Sequence, residues 1–101
     1  MKLVQILLPT RDNRGRKFKS IIFGRIRKEL VGRFGGLTAY SRSPARGVWK
    51  SGQSTKLDDI VVIEIMTAEL KRSWWKKYRR KLERTLRQDE IVVRVQTINI
   101  I

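Results

Sequence analysis

Three polar residues interrupt three otherwise apolar runs of this chain: Gln5 in KLVQILLP, Glu64 in IVVIEIM and Arg94 in IVVRV. A carboxylate can move a proton, a guanidinium can hold an anion in a fork of donors, and an amide can bridge the two. If the runs are adjacent strands, the side chains form one row. Two readings of that row stay open. It is a small-molecule pocket, with Glu64 as acid or base, Arg94 on an anion, and Tyr40 and Trp49 as walls. Or it is an ion pair and an amide at an interface between two copies, because buried polar groups need partners.

The second chemistry on offer is phosphate binding. The 101 residues carry 24 Lys+Arg against 9 Asp+Glu and no His, a formal charge of +15. A field of that sign favours polyanions such as nucleic acid or acidic lipid. The excess sits in two segments, 11–33 and 69–87, each with nine Lys/Arg and two Asp/Glu. In the second, Arg72, Lys76, Arg79, Arg80, Arg84 and Arg87 fall opposite an apolar helical stripe and form the expected polyanion-binding set. Contacts from such a face are salt-sensitive and poor in sequence information. Base stacking on the sheet, the mode of RNA-recognition motifs, is excluded because KLVQILL and IVVIEIM contain no aromatic residue. Trp74 is expected inside the packed arc and Trp75 at its edge, so neither is read as a stacking platform.

Other chemistries are removed by composition. Without Cys or His there is no disulfide, thiol nucleophile, His-based triad or Cys/His zinc site. GRFGG and RGVWKSG lack the phosphate-cradling glycine patterns. No cofactor and no metal site is expected, no catalytic residue is assigned, and the balance leans away from an enzyme. The opening KLVQILLP is too short to span a membrane and lacks a secretory cleavage site, so a cytoplasmic protein is expected.

The elements that must position these residues are legible from periodicity. Lys2–Leu8 reads as a strand ended by Pro9. From about Lys17 to Phe34, Ile22, Ile26, Leu30 and Phe34 recur every four residues beside Phe23, which predicts a helix stopped at Gly35-Gly36. Ile21 and Val31 lie off that stripe. Leu37–Arg42 can form a strand, and Ser43–Leu57 reads as a long loop rich in Ser and Gly. Ile60–Met66 is the clearest strand. Thr67 is expected to cap a helix from Ala68 to about Arg87, with Glu69 in its first turn and Leu70, Trp74, Tyr78, Leu82 and Leu86 along one side. Ile91–Ile101 closes the chain as a strand.

The resulting order, βαββαβ, predicts an α+β ferredoxin-like fold. That fold is one domain over residues 1–101, a four-stranded antiparallel sheet with two helices on one face. The first strand should lie between the third and the last, with the second at an edge. Val4, Ile6, Leu8, Val61, Ile63 and Ile65 should face the helices. Leu3, Leu7, Ile60, Val62 and Met66 should face away, a patch large enough to predict a homodimer packed sheet to sheet. Alternatively, the 43–57 loop folds back over that face.

The stretch RFGGLTAYSRSPARGVWK, followed by DDIVVIEIM and a Trp-Trp helix, resembles an uncharacterised family of short bacterial proteins. They share a segment of the form RFGGLTAY…P…G.W. The resemblance covers nearly the whole chain and implies a ferredoxin-like fold, but no activity, substrate or cofactor. A looser similarity to dimeric α/β-barrel proteins, including cofactor-free monooxygenase-like enzymes, rests on architecture alone. The expectation is a small homodimeric binding or accessory protein. Non-specific nucleic-acid binding through the helical layer and a cofactor-free small-molecule enzyme stand as the alternatives.

Overall fold

The computed structural model describes residues 1–45 and 58–101. In chain order its elements are β1 (Lys2–Pro9), α1 (Ser20–Phe34), β2 (Thr38–Ala45), β3 (Asp58–Thr67), α2 (Arg72–Thr85) and β4 (Val92–Thr97). The strands form one antiparallel sheet in the order β2-β3-β1-β4. This is the ferredoxin-like arrangement, with β1 between β3 and β4 and β2 at an edge.

Alternation along β1 and β3 divides the sheet into two faces. Val4, Ile6, Leu8, Ile63 and Ile65 are buried against Ile26 and Leu30 of α1 and Trp75, Tyr78 and Leu82 of α2. Leu86 and Ile91, just beyond α2, complete that core. Pro44 falls where the pairing of β2 with β3 becomes irregular, between Arg42 and Ala45. At an edge strand the missing N–H is tolerated.

Helix α1 ends as expected: Gly35 adopts φ +83° and its N–H donates to the Val31 carbonyl at 2.8 Å. Helix α2 differs from expectation at its start. Thr67 does not cap it; it is the last residue of β3, paired with Lys2, and its hydroxyl donates to the Glu69 carbonyl at 2.9 Å. Glu69 therefore precedes the helix, whose first turn holds no acid. With Leu70 outside the helix, Trp75, Tyr78 and Leu82 define its buried side. Trp75 is buried and Trp74 only partly so, the reverse of the expected depths.

An aromatic cluster fastens the two helices. Phe34 stacks on Trp75 at 5.3 Å, and Trp74 stacks on Tyr78 one turn along at 4.9 Å. The Arg33 guanidinium lies 4.4 Å from the centre of the Trp74 ring. Lys81 of α2 pairs with Glu29 of α1 at 3.0 Å. The Tyr78 hydroxyl is buried facing the Glu29 carboxylate, without a well-formed hydrogen bond. Burial, and then the charge of Glu29 and its pull on the hydroxyl proton, push the Tyr78 pKa above the ordinary range.

Candidate functional site

Because β1 is central, one position on it can meet a residue from each side. Gln5 is paired in register with Glu64 of β3 and with Arg94 of β4. The row expected from sequence is formed, on the face away from the helices. Gln5 Nε2 donates to Glu64 Oε2 at 2.8 Å, and Arg94 Nε donates to Gln5 Oε1 at 2.7 Å. A carboxylate only accepts and a guanidinium only donates, so these neighbours dictate the orientation of the amide. The result is an ion pair bridged by an amide across three strands. Gln5 and Glu64 are half-buried and Arg94 is exposed.

The row lies between two largely apolar levels. On one side, register aligns Val92, Leu7, Val62 and Tyr40; on the other, Gln96, Leu3 and Met66. Met66 and Val92 are exposed at 57% and 45%, whereas Val62 is buried. Half-buried Tyr40 is therefore on the expected face, one level from the row. Trp49, the other proposed wall, lies outside the described residues, as do residues 46–57 of the expected 43–57 loop, whose first three residues belong to β2. Among the described residues no group of His, Cys, Asp or Glu is arranged to hold a metal ion, and no helix is long and apolar enough to cross a membrane.

The basic set is placed on the opposite side of the molecule. Arg72, Lys76, Arg80, Arg84 and Arg87 are exposed. Arg79 is set apart: it is half-buried, with its Nε sealed and unpartnered. Its angular position explains this. At about 100° per residue, Arg79 falls beside Trp75 and Leu82, while Lys76, Lys77, Arg80 and Arg84 share an outward arc of about 100°. Lys77, absent from the expected set, is exposed and belongs to that arc.

At the end of α2 the chain turns through a Schellman motif. Gln88 N–H donates to the Glu83 carbonyl at 2.9 Å, Arg87 N–H donates to the Arg84 carbonyl at 3.3 Å, and Arg87 takes φ +50°. The Glu83 carboxylate is turned back to accept from Ile91 N–H at 2.9 Å. Arg80, Arg84 and Arg87 line a shallow depression there with Glu83, Gln88 and Asp89.

The β1–α1 connection comes to the same place. Asn13 Nδ2 donates to the Arg87 carbonyl at 3.3 Å, joining residues 74 apart in sequence. Asp12 organises this connection: Oδ1 accepts from the N–H groups of Arg14 and Arg16 at 2.9 Å each, and Oδ2 accepts from Arg16 Nε at 3.2 Å. The Arg16 N–H, then that of Arg14 and the Arg16 charge, hold the Asp12 carboxyl below its ordinary pKa. A lowered carboxylate contributes its hold at neutral pH and loses it as pH falls through the folded-state pKa. Arg14, next in chain to Asn13, and Lys17, bridged to Arg11 across the same turn, are exposed. No local sequence signal announces this meeting, because it depends on a contact between the two halves of the fold.

No protein-family model, no curated protein and no solved structure matches this chain.

Proposed function

We propose that the chain is the protomer of a homodimeric binding protein whose two copies close sheet face to sheet face. One observation carries this reading: the charges of the row are self-complementary about Gln5. A two-fold axis parallel to β1 and passing over Gln5 reverses the order of the strands. Arg94 of one copy then lies over the partner's Glu64, and the reverse holds by symmetry. Leu7 faces the partner's Leu7, and exposed Val92 lies over the strand that carries the partner's Val62, itself buried in the protomer. An axis running across the strands would instead set Arg94 against the partner's Arg94.

Because the axis lies over β1, the third strand of four, β3, β1 and β4 of the two copies overlap and β2 stays outside. Three strands at about 4.8 Å and eight residues at about 3.3 Å give a projected area of about 380 Å² per copy. A pair covers about 760 Å², the size of a weak, transient association. The members of the row bond to one another, which favours an interface over a reaction centre.

The test is sedimentation equilibrium on the full chain. The unaltered protein is expected at twice the protomer mass of 11.9 kDa. Met66→Asp, at a position exposed in the protomer, is expected to shift it to the single mass with an unchanged circular dichroism spectrum. A protein that sediments as a single protomer at 100 μM, or a variant that stays dimeric, would overturn the reading.

A further inference from the structure

We infer that the outward side of α2, continued by the 10–17 connection, binds the phosphate backbone of double-stranded nucleic acid. This goes beyond the pairing of the sheet faces and does not rest on it, since the surface lies on the other side of the sheet.

The charge is ordered rather than scattered. Lys76, Arg80 and Arg84 repeat every four residues, a step of about 6 Å along the helix, and Lys77 flanks them. From Lys76 to Arg84 the stripe runs about 12 Å, the length over which one strand of a duplex presents three to four phosphates. Arg87 extends the line past the helix end, and the Asn13–Arg87 hydrogen bond brings the turn that carries Arg14 to it. The nearby acids are largely committed: Glu83 to Ile91 N–H, Asp12 to the connection, and Glu29 to Lys81. Asp89, at the rim of the depression, and the neighbouring exposed Glu90 are the exceptions.

The absence of a stacking surface among the described residues decides which nucleic acid fits. Single strands are held by bases laid on exposed aromatic rings. Here Phe34, Trp74, Trp75 and Tyr78 are spent on one another, and Arg33 covers the Trp74 ring. None of the described aromatic side chains is exposed. A surface with cations and no rings reads phosphates, and a duplex presents them in fixed rows. DNA and RNA duplexes share that chemistry, and the two arms of the test separate them.

The experiment is fluorescence anisotropy of labelled 20-base-pair DNA and RNA duplexes, with a 20-nucleotide single strand as competitor, between 50 and 200 mM salt. Five phosphate contacts predict a log–log salt slope near −4.5 on B-form DNA, a loss of about 500-fold across that range. The variant Lys76→Gln/Arg80→Gln/Arg84→Gln, all exposed positions, should flatten the slope by about 2.7. Arg25→Gln/Arg27→Gln/Lys28→Gln on α1 removes the same charge and should change it by less than about 1. Met66→Asp should bind with the unaltered slope per protomer, so loss of dimerisation and loss of binding are read separately. Either duplex bound in this pattern supports the inference and names the partner. It is overturned by no duplex binding at 50 mM salt, by equal losses in the two triple variants, by tighter binding of the single strand, or by binding only to vesicles containing phosphatidylserine.

Discussion

Exchanging the charges of the row tests the proposed two-fold geometry against the protein's overall charge. Glu64→Arg turns two attractive contacts per dimer into two repulsive ones, since each copy contributes one Glu64 and one Arg94. At a partly exposed interface each reversed pair costs about 1–2 kcal/mol, between the values for surface pairs and for buried interfacial pairs. The dimer should weaken by about 2–4 kcal/mol, or roughly 30- to 1,000-fold in Kd. Arg94→Glu is the sharper variant. It lowers the formal charge of each copy from +15 by two, so if general repulsion governed association it would strengthen the dimer. The row predicts a weaker dimer instead. In the double exchange Glu64→Arg/Arg94→Glu the Gln5 amide rotates by about 180°, giving its Nε2 to the new carboxylate and its Oε1 to the new guanidinium. Affinity should return to within about tenfold of the unaltered protein. Sedimentation equilibrium of all four proteins at one ionic strength provides the cycle. A tighter dimer for Arg94→Glu, or a double variant as weak as both changes added, would refute the crossed pairing.

Two further variants test local features. Tyr78→Phe removes a buried hydroxyl that faces the Glu29 carboxylate without a well-formed hydrogen bond, so urea denaturation should find stability within about 1 kcal/mol of the unaltered protein. Because folding holds the Tyr78 proton that the unfolded chain releases near pH 10, the native protein should lose stability as pH rises past that value, and the variant should lose less. Arg87→Gly relieves a side chain at φ +50° and should raise stability by about 1 kcal/mol, while duplex binding weakens by the loss of one cation; a fall in stability would contradict the strain.

Much of the fold is legible because periodicity and punctuation agree. Alternation in β1 and β3 assigns their faces, and Gly35 stops α1 where its left-handed conformation is needed. The row of Gln5, Glu64 and Arg94 follows from the same alternation once the strand order is known. The start of α2 is obscured by mimicry. Leu70 continues the four-residue spacing of Trp74 and Tyr78, and Thr67 looks like a cap although β-sheet pairing with Lys2 claims it. Extending the helix to include Leu70 rotates the inferred stripe, which exchanges the depths of Trp74 and Trp75 and sends Arg79 outward. The approach of Asn13 to Arg87 is a tertiary contact with no pattern inside either segment. Gly47 and Trp49 fall outside the described residues.

The pairing of sheet faces is tested most directly by isotope-filtered nuclear Overhauser spectroscopy on a mixture of labelled and unlabelled protein. Cross-peaks between copies are predicted for the side chains of Leu3, Leu7 and Val92, with Arg94 of one copy close to the partner's Glu64. Cross-peaks between copies that arise from α1 or α2, or none at concentrations where the protein sediments as a dimer, would contradict the account.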